Sequence, residues 1–134
     1  MLHFKKFTES SNFKKSLLND VQDLILDMKD EFPEMNKHPA KNKSEIIYRV
    51  IDNIAYIKTQ KDCARILIRF WLPRDISKKS ICDRIIEYSE KVLVPRLKKM
   101  GYEISIKKND ITGRHWASVW NKDIFDIYVT LPID

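Results

Sequence analysis

The run GRHWASVW, residues 113–120, sets Arg114 directly before His115. An imidazole that moves a proton beside a guanidinium that steadies phosphate is the equipment of a small metal-independent nuclease. That chemistry needs a second proton-transfer group, and Asp110, Asp123 and Asp126 are the nearby carboxylates. Carboxylates near hairpin turns ordinarily serve as solvated turn formers, so His115 is only a weak catalytic candidate and the chain reads more readily as a non-enzyme. The other histidines, His3 and His38, fall at the terminus and in a loop, and none of the three has the i, i+4 partner of a helical metal site. Asp20, Asp23 and Asp27 form an acidic stripe that would meet either a divalent cation or plain solvent, and the solvated face is the commoner outcome. No metal or cofactor is expected: Walker A, GxGxxG and GxSxG patterns are missing, and two glycines leave little material for a phosphate-cradling loop.

Cations and aromatic rings are the stronger signal. Arg65, Arg69 and Trp71 alternate along one stretch, Lys107 and Lys108 sit in another, Lys98 and Lys99 close a helix, and Arg114 and Trp116 share the 113–120 run. Arginine and lysine hold phosphates while an indole offers a plane on which a base stacks, so these residues apart from Trp71, eight in all, are the candidate nucleic-acid contacts. An ordinary solubilising surface is the plain alternative. Asp20, Asp23 and Asp27 are the corresponding candidates for gripping a protein partner.

The elements that must position these groups follow from periodicity. Phe13, Leu17, Val21, Leu24, Met28 and Phe32 recur at spacings of three and four, predicting a helix from a Ser10/Ser11 cap to Pro33. PEMNKHPAKNKS has two prolines and no period, and reads as a loop. Residues 45–52 remain open between helix and strand, and Ala55 to Thr59 reads as strand. Ala64 to Leu72 alternates cleanly and ends at Pro73. A second helix begins near Asp75 or Ser77 and stops at Gly101, with a kink or break expected at Pro95.

The C-terminal third reads as a meander of three strands, Tyr102 to Lys107, Arg114 to Trp120 and Ile124 to Leu131. Pro132 and Asp134 then read as protection of a sheet edge. The expectation is one α+β domain over residues 1–134, in the order α-β-(β)-α-β-β-β. It has two main helices and a mostly antiparallel sheet of four to five strands, with a parallel pair arising only by crossover through the second helix.

Apolar parity divides that sheet. Ile66, Ile68, Phe70, Tyr102, Ile104, Ile106, Phe125, Ile127, Val129 and Leu131 would face the core, leaving Arg65, Arg69, Trp71, Lys107 and Tyr128 on the other side. If Ala117 and Val119 turn inward, Trp116 and Trp120 join the basic face; if the first helix covers that face, all three indoles are buried. In that second case Arg65 and Arg69 need acids, which Asp20, Asp23 and Asp27 could supply.

At 134 residues, 43% of them hydrophobic, the chain can bury one real core. Its net charge of +6 favours nucleic acid, a nucleoprotein complex or an acidic protein as partner. Cys63 and Cys82 fit neither a CxxC pair nor a zinc quartet and read as reduced thiols. With no apolar run long enough to span a bilayer and no h-region, a cytoplasmic protein without membrane association is expected, as a monomer or homodimer.

The opening MLHFKKFTES, basic and aromatic with a Glu near its end, resembles the N-terminal packaging peptides of small proteins from large contractile-tailed phages. The resemblance covers about ten residues, with Phe7 standing where the processing pattern prefers Leu or Ile. It implies a segment, residues 1–10, that directs a protein into the phage head and can be cut after Glu9; a flexible N-terminal segment is the alternative. It also implies an accessory protein, either carried in the virion with DNA or made early in the host cytoplasm to disable a defence factor. The expected function is therefore a phage or mobile-element accessory protein that binds nucleic acid through a basic, aromatic sheet face. An inhibitor of a host or virion protein is the alternative.

Overall fold

The computed structural model describes residues 2–39, 45–52, 63–109 and 122–132. Helix α1 spans Leu2–Glu31, a stretch with neither glycine nor proline to interrupt it. It passes straight through the serines expected to cap it at 10 and 11, so the opening segment is continuous with the helix. One stripe, Leu17, Val21, Leu24, Ile25, Met28 and Phe32, is buried against the sheet. The helix ends as read from the sequence: Phe32 N–H still reaches the Met28 carbonyl at 2.9 Å, and Pro33 cannot continue it.

Five strands follow: β1 (Met35–Lys37), β2 (Ile46–Ile51), β3 (Cys63–Pro73), β4 (Glu103–Asn109) and β5 (Lys122–Pro132). Their order is β1-β2-β3-β5-β4, with β1 and β2 parallel and the other neighbours antiparallel. The α+β reading with a mostly antiparallel sheet is thus correct, and the structure settles one open point and alters four details. Residues 45–52 resolve to strand, and β1 lies inside the expected loop, too short to show a period. The parallel pair is β1 with β2, whereas the crossover through the second helix joins β3 to β4, which are parallel but not adjacent. Strand β5 lies between them, so it is interior where an edge was expected, and β4 pairs with β5 directly where the meander would have put residues 114–120 between them. The expected strands at 55–59 and 114–120 lie outside the described residues.

The second helix is interrupted. Asp75 accepts a hydrogen bond from Ser77 N–H to open a 3-10 turn, Ile76–Lys78, which leads into α2 (Lys79–Tyr88). One π-turn, Ser89–Leu93, then joins α2 to α3 (Val94–Lys99). Val94 N–H reaches back five residues to the Ser89 carbonyl, and Pro95 falls in the first turn of α3, where its missing N–H is not needed. The kink expected at Pro95 is therefore a widened turn just before it. Gly101, at φ +100°, closes α3: its N–H bonds to Lys98 and Tyr102 N–H to Leu97.

Both helices lie on the same face of the sheet. Their stripes meet Met35, Ile46, Tyr48, Ile66, Ile68, Phe70, Phe125, Ile127 and Val129 in one core, within which the rings of Phe70 and Phe125 stack at 6.0 Å. Parity was read correctly for Ile66, Ile68, Phe70, Phe125, Ile127 and Val129, although Ile104 is only partly buried and Ile106 is 38% exposed.

Candidate functional site

The face opposite the helices carries the candidate site. Register sets Arg49, Arg69, Asp126 and Lys107 directly opposite one another on β2, β3, β5 and β4, one charged row across the sheet. Two like charges on adjacent strands, Arg49 and Arg69, repel unless an acid neutralises one of them. Asp126 supplies it. Arg69 donates from Nε to Oδ1 at 2.8 Å and from its terminal nitrogen to Oδ2 at 2.9 Å. The carboxylate is fully buried and the guanidinium half-buried, and the two parallel bonds push the Arg69 pKa above its ordinary value.

Around this pair the cations hold aromatic rings. The Arg65 guanidinium lies 4.5 Å from the centre of the Tyr128 ring, and that of Arg69 lies 5.9 Å from Trp71. His38, just beyond β1, adds a tilted ring contact with Trp71 at 5.2 Å, and Trp71 packs on buried Ile124. Arg49 and Lys107, at the two ends of the row, are exposed. The usual strand spacing puts their backbones about 14 Å apart.

The predicted residues do not all gather here. Arg65, Arg69 and Lys107 share the face, but Lys108 points to the helix side, where its ammonium pairs with Glu90 at 2.7 Å. Lys98 and Lys99 are exposed at the end of α3, again on the helix side of the sheet. Arg114, His115, Trp116 and Trp120 lie outside the described residues. Asp126 is no turn former: it is buried mid-strand, and Asp123 is held by Arg74 at 2.8 Å, so two of the three carboxylates considered as proton-transfer partners are committed to arginines, and Asp110 lies outside the described residues.

The α1 acids do not pair with the sheet arginines, because α1 packs on the other face. Asp20 accepts a short hydrogen bond from the Tyr102 hydroxyl, Asp27 lies 3.7 Å from Arg96, and Asp23 is exposed. Among the described residues no group of three or more His, Cys, Asp or Glu side chains could hold a metal ion.

Sequence reading missed Arg49, because the β2 stretch was ambiguous, and missed the pairing role of Asp126. The signal for the latter was present: an Asp inside the alternating run IFDIYV must be buried or flanked, and either needs a cation.

A cleft of about 690 Å³ opens where β3 ends and the 3-10 turn begins. Leu72, Ile86 and Phe125 help line it, and the Arg74–Asp123 pair stands among its polar groups. Cys82 also lines it, but burial pushes the thiol pKa up to about 11, so this sulfur is a poor nucleophile.

No protein-family model matches the chain, and comparison with curated proteins and with solved structures finds no match. Among the described residues no helix is long and apolar enough to cross a membrane.

Proposed function

We infer that the protein binds nucleic acid, alone or within a nucleoprotein complex, through the face of its sheet opposite the described helices. The observation that carries this reading is the charged row. Its centre is neutralised internally by Arg69 and Asp126, while Arg49 and Lys107 stand exposed at either end, with Arg65, Tyr128 and Trp71 alongside. Exposed cations on a sheet face provide salt-sensitive phosphate contacts, and partly exposed rings beside them provide stacking surface. The opening MLHFKKFTES supports placing such a protein among phage or mobile-element accessories, acting in the host cytoplasm or packaged in the virion.

A protein-binding inhibitor is the second reading, favoured by Asp23 and Leu26, which are both exposed on α1. A nuclease using His115 is a weaker third, since Asp123 and Asp126 already serve arginines.

Fluorescence anisotropy with labelled single-stranded and duplex oligonucleotides, at two or more salt concentrations, tests the first reading. Binding should weaken with salt, and Arg49→Ala should reduce the slope of log affinity against log salt by about one. No binding at low salt, or a slope unchanged in Arg49→Ala, overturns it.

A further inference from the structure

Among the described residues strand β4 is an edge: it pairs with β5 on one side, and no described strand pairs with its other side. An open edge is a template for another strand, and its side chains decide which one. Along β4 the sequence reads Glu103, Ile104, Ser105, Ile106, Lys107. Reversed against itself about Ser105, this segment is self-complementary. Glu103 falls opposite Lys107 of a second copy, Ile104 opposite Ile106, Ser105 opposite Ser105, and the same contacts repeat on the other side of a two-fold axis.

We propose that the β4 edge is a homodimer interface in which two copies pair antiparallel about Ser105, joining their sheets into one ten-stranded sheet. Three observations converge on a second copy as the occupant. Glu103 and Lys107 are both exposed on the same sheet face, so the register makes two opposite-charge cross-strand pairs. Ile106 is 38% exposed and Ile104 partly buried on the helix side, so each isoleucine gains an apolar neighbour from the other copy. The interface is isologous, using the same patch twice, as a closed two-fold dimer requires. A one-residue slip loses the match: Glu103 would then face Ile106 or Lys108, and Ile104 would face Ser105 or Lys107.

Because residues directly opposite in a sheet share a face, the two-fold axis stands perpendicular to the sheet. All described helices then remain on one side, and on the other side each charged row runs through Glu103 of the second copy into that copy's Thr130 and Arg65. The proposal goes beyond the nucleic-acid reading and does not depend on it. Lys107 is engaged by Glu103 of the second copy, while Arg49 lies on the far side of each sheet.

Sedimentation equilibrium of the full chain, without nucleic acid, tests the interface. The apparent mass should rise with concentration from the 16.0 kDa chain mass towards twice that value. Glu103→Lys alone and Lys107→Glu alone each turn two attractive pairs repulsive and should weaken dimerisation about tenfold. An equimolar mixture of the two variants restores opposite charges at both pairs and should dimerise as the wild type does. Circular dichroism establishes that each variant is folded. If Lys107→Glu is unstable beside Asp126, Ile106→Lys disrupts the same interface through its apolar contact. A wild type that stays at the chain mass throughout, a dimer indifferent to Glu103→Lys and Ile106→Lys, or a mixture of folded variants no tighter than either alone overturns the proposal.

Discussion

Arg69 on β3 and Asp126 on β5 face each other across a single pair of strands, joined by two hydrogen bonds of 2.8 and 2.9 Å. Their exposures differ sharply: the aspartate side chain is 1% accessible and the arginine side chain 28%. Removing one partner therefore does not mirror removing the other.

Arg69→Ala strands a carboxylate that cannot reach water, and should cost about 3–5 kcal/mol of folding stability. Asp126→Ala leaves a guanidinium that water already touches, and should cost less. Urea unfolding of both variants at neutral pH checks the order; equal losses would mean that the burial asymmetry carries no energy. The asymmetry also makes Arg69→Ala a poor probe of ligand binding, since it disturbs the fold, whereas exposed Arg49 is a clean one.

Tyr102 gives a pH signature. Burial, and then the Asp20 carboxylate that accepts its hydroxyl proton, push the phenol pKa from 10.0 up to about 12. Between those values the unfolded chain releases a proton that the folded chain keeps, so folding stability falls as pH rises through that window. Tyr102→Phe should lose about 1–2 kcal/mol at neutral pH through the missing hydrogen bond and the stranded acceptor. The gap between variant and wild type should then shrink as pH rises from 10 to 12. Denaturant midpoints measured across that range test it, and a constant gap would show that the phenol proton is not held by the fold.

Gly101 isolates a backbone effect. A Cβ at this position would meet nothing within 4 Å, yet the φ of +100° is one that side chains resist. Gly101→Ala should therefore lower stability by about 1–2 kcal/mol through conformation alone, readable as a drop in Tm. A loss several times larger would point to a clash that the local space does not contain.

Much of this architecture is legible in the sequence because burial writes itself as a period. The stripe Leu17, Val21, Leu24, Met28 announces α1, and the alternation from Ile66 to Leu72 announces β3 and assigns its faces. Gly101 marks a helix end for a reason confined to one residue. Strand order has no such local signature. Nothing around β5 states that it inserts between β3 and β4, so the charges that it aligns, Arg49 through Lys107, could not be placed in one row. Three-residue β1 is too short to carry any period. The candidate site was half legible: Arg65, Arg69 and Lys107 from parity, but Arg49 and the buried Asp126 only once the register was known.

The position of β5 also sets an order of events. Its pairing with β3 begins at Cys63↔Pro132 and its pairing with β4 at Glu103↔Thr130, so one late strand completes both ladders. During synthesis β3 and β4 emerge first and face a gap in which neither has its neighbour. The sheet cannot close until residues past 122 have left the ribosome, so collapse onto the core waits for the arrival of this interior strand. Such non-local closure is slow, and a nascent chain halted before β5 leaves open the two strand edges, one on β3 and one on β4, that β5 covers in the finished sheet.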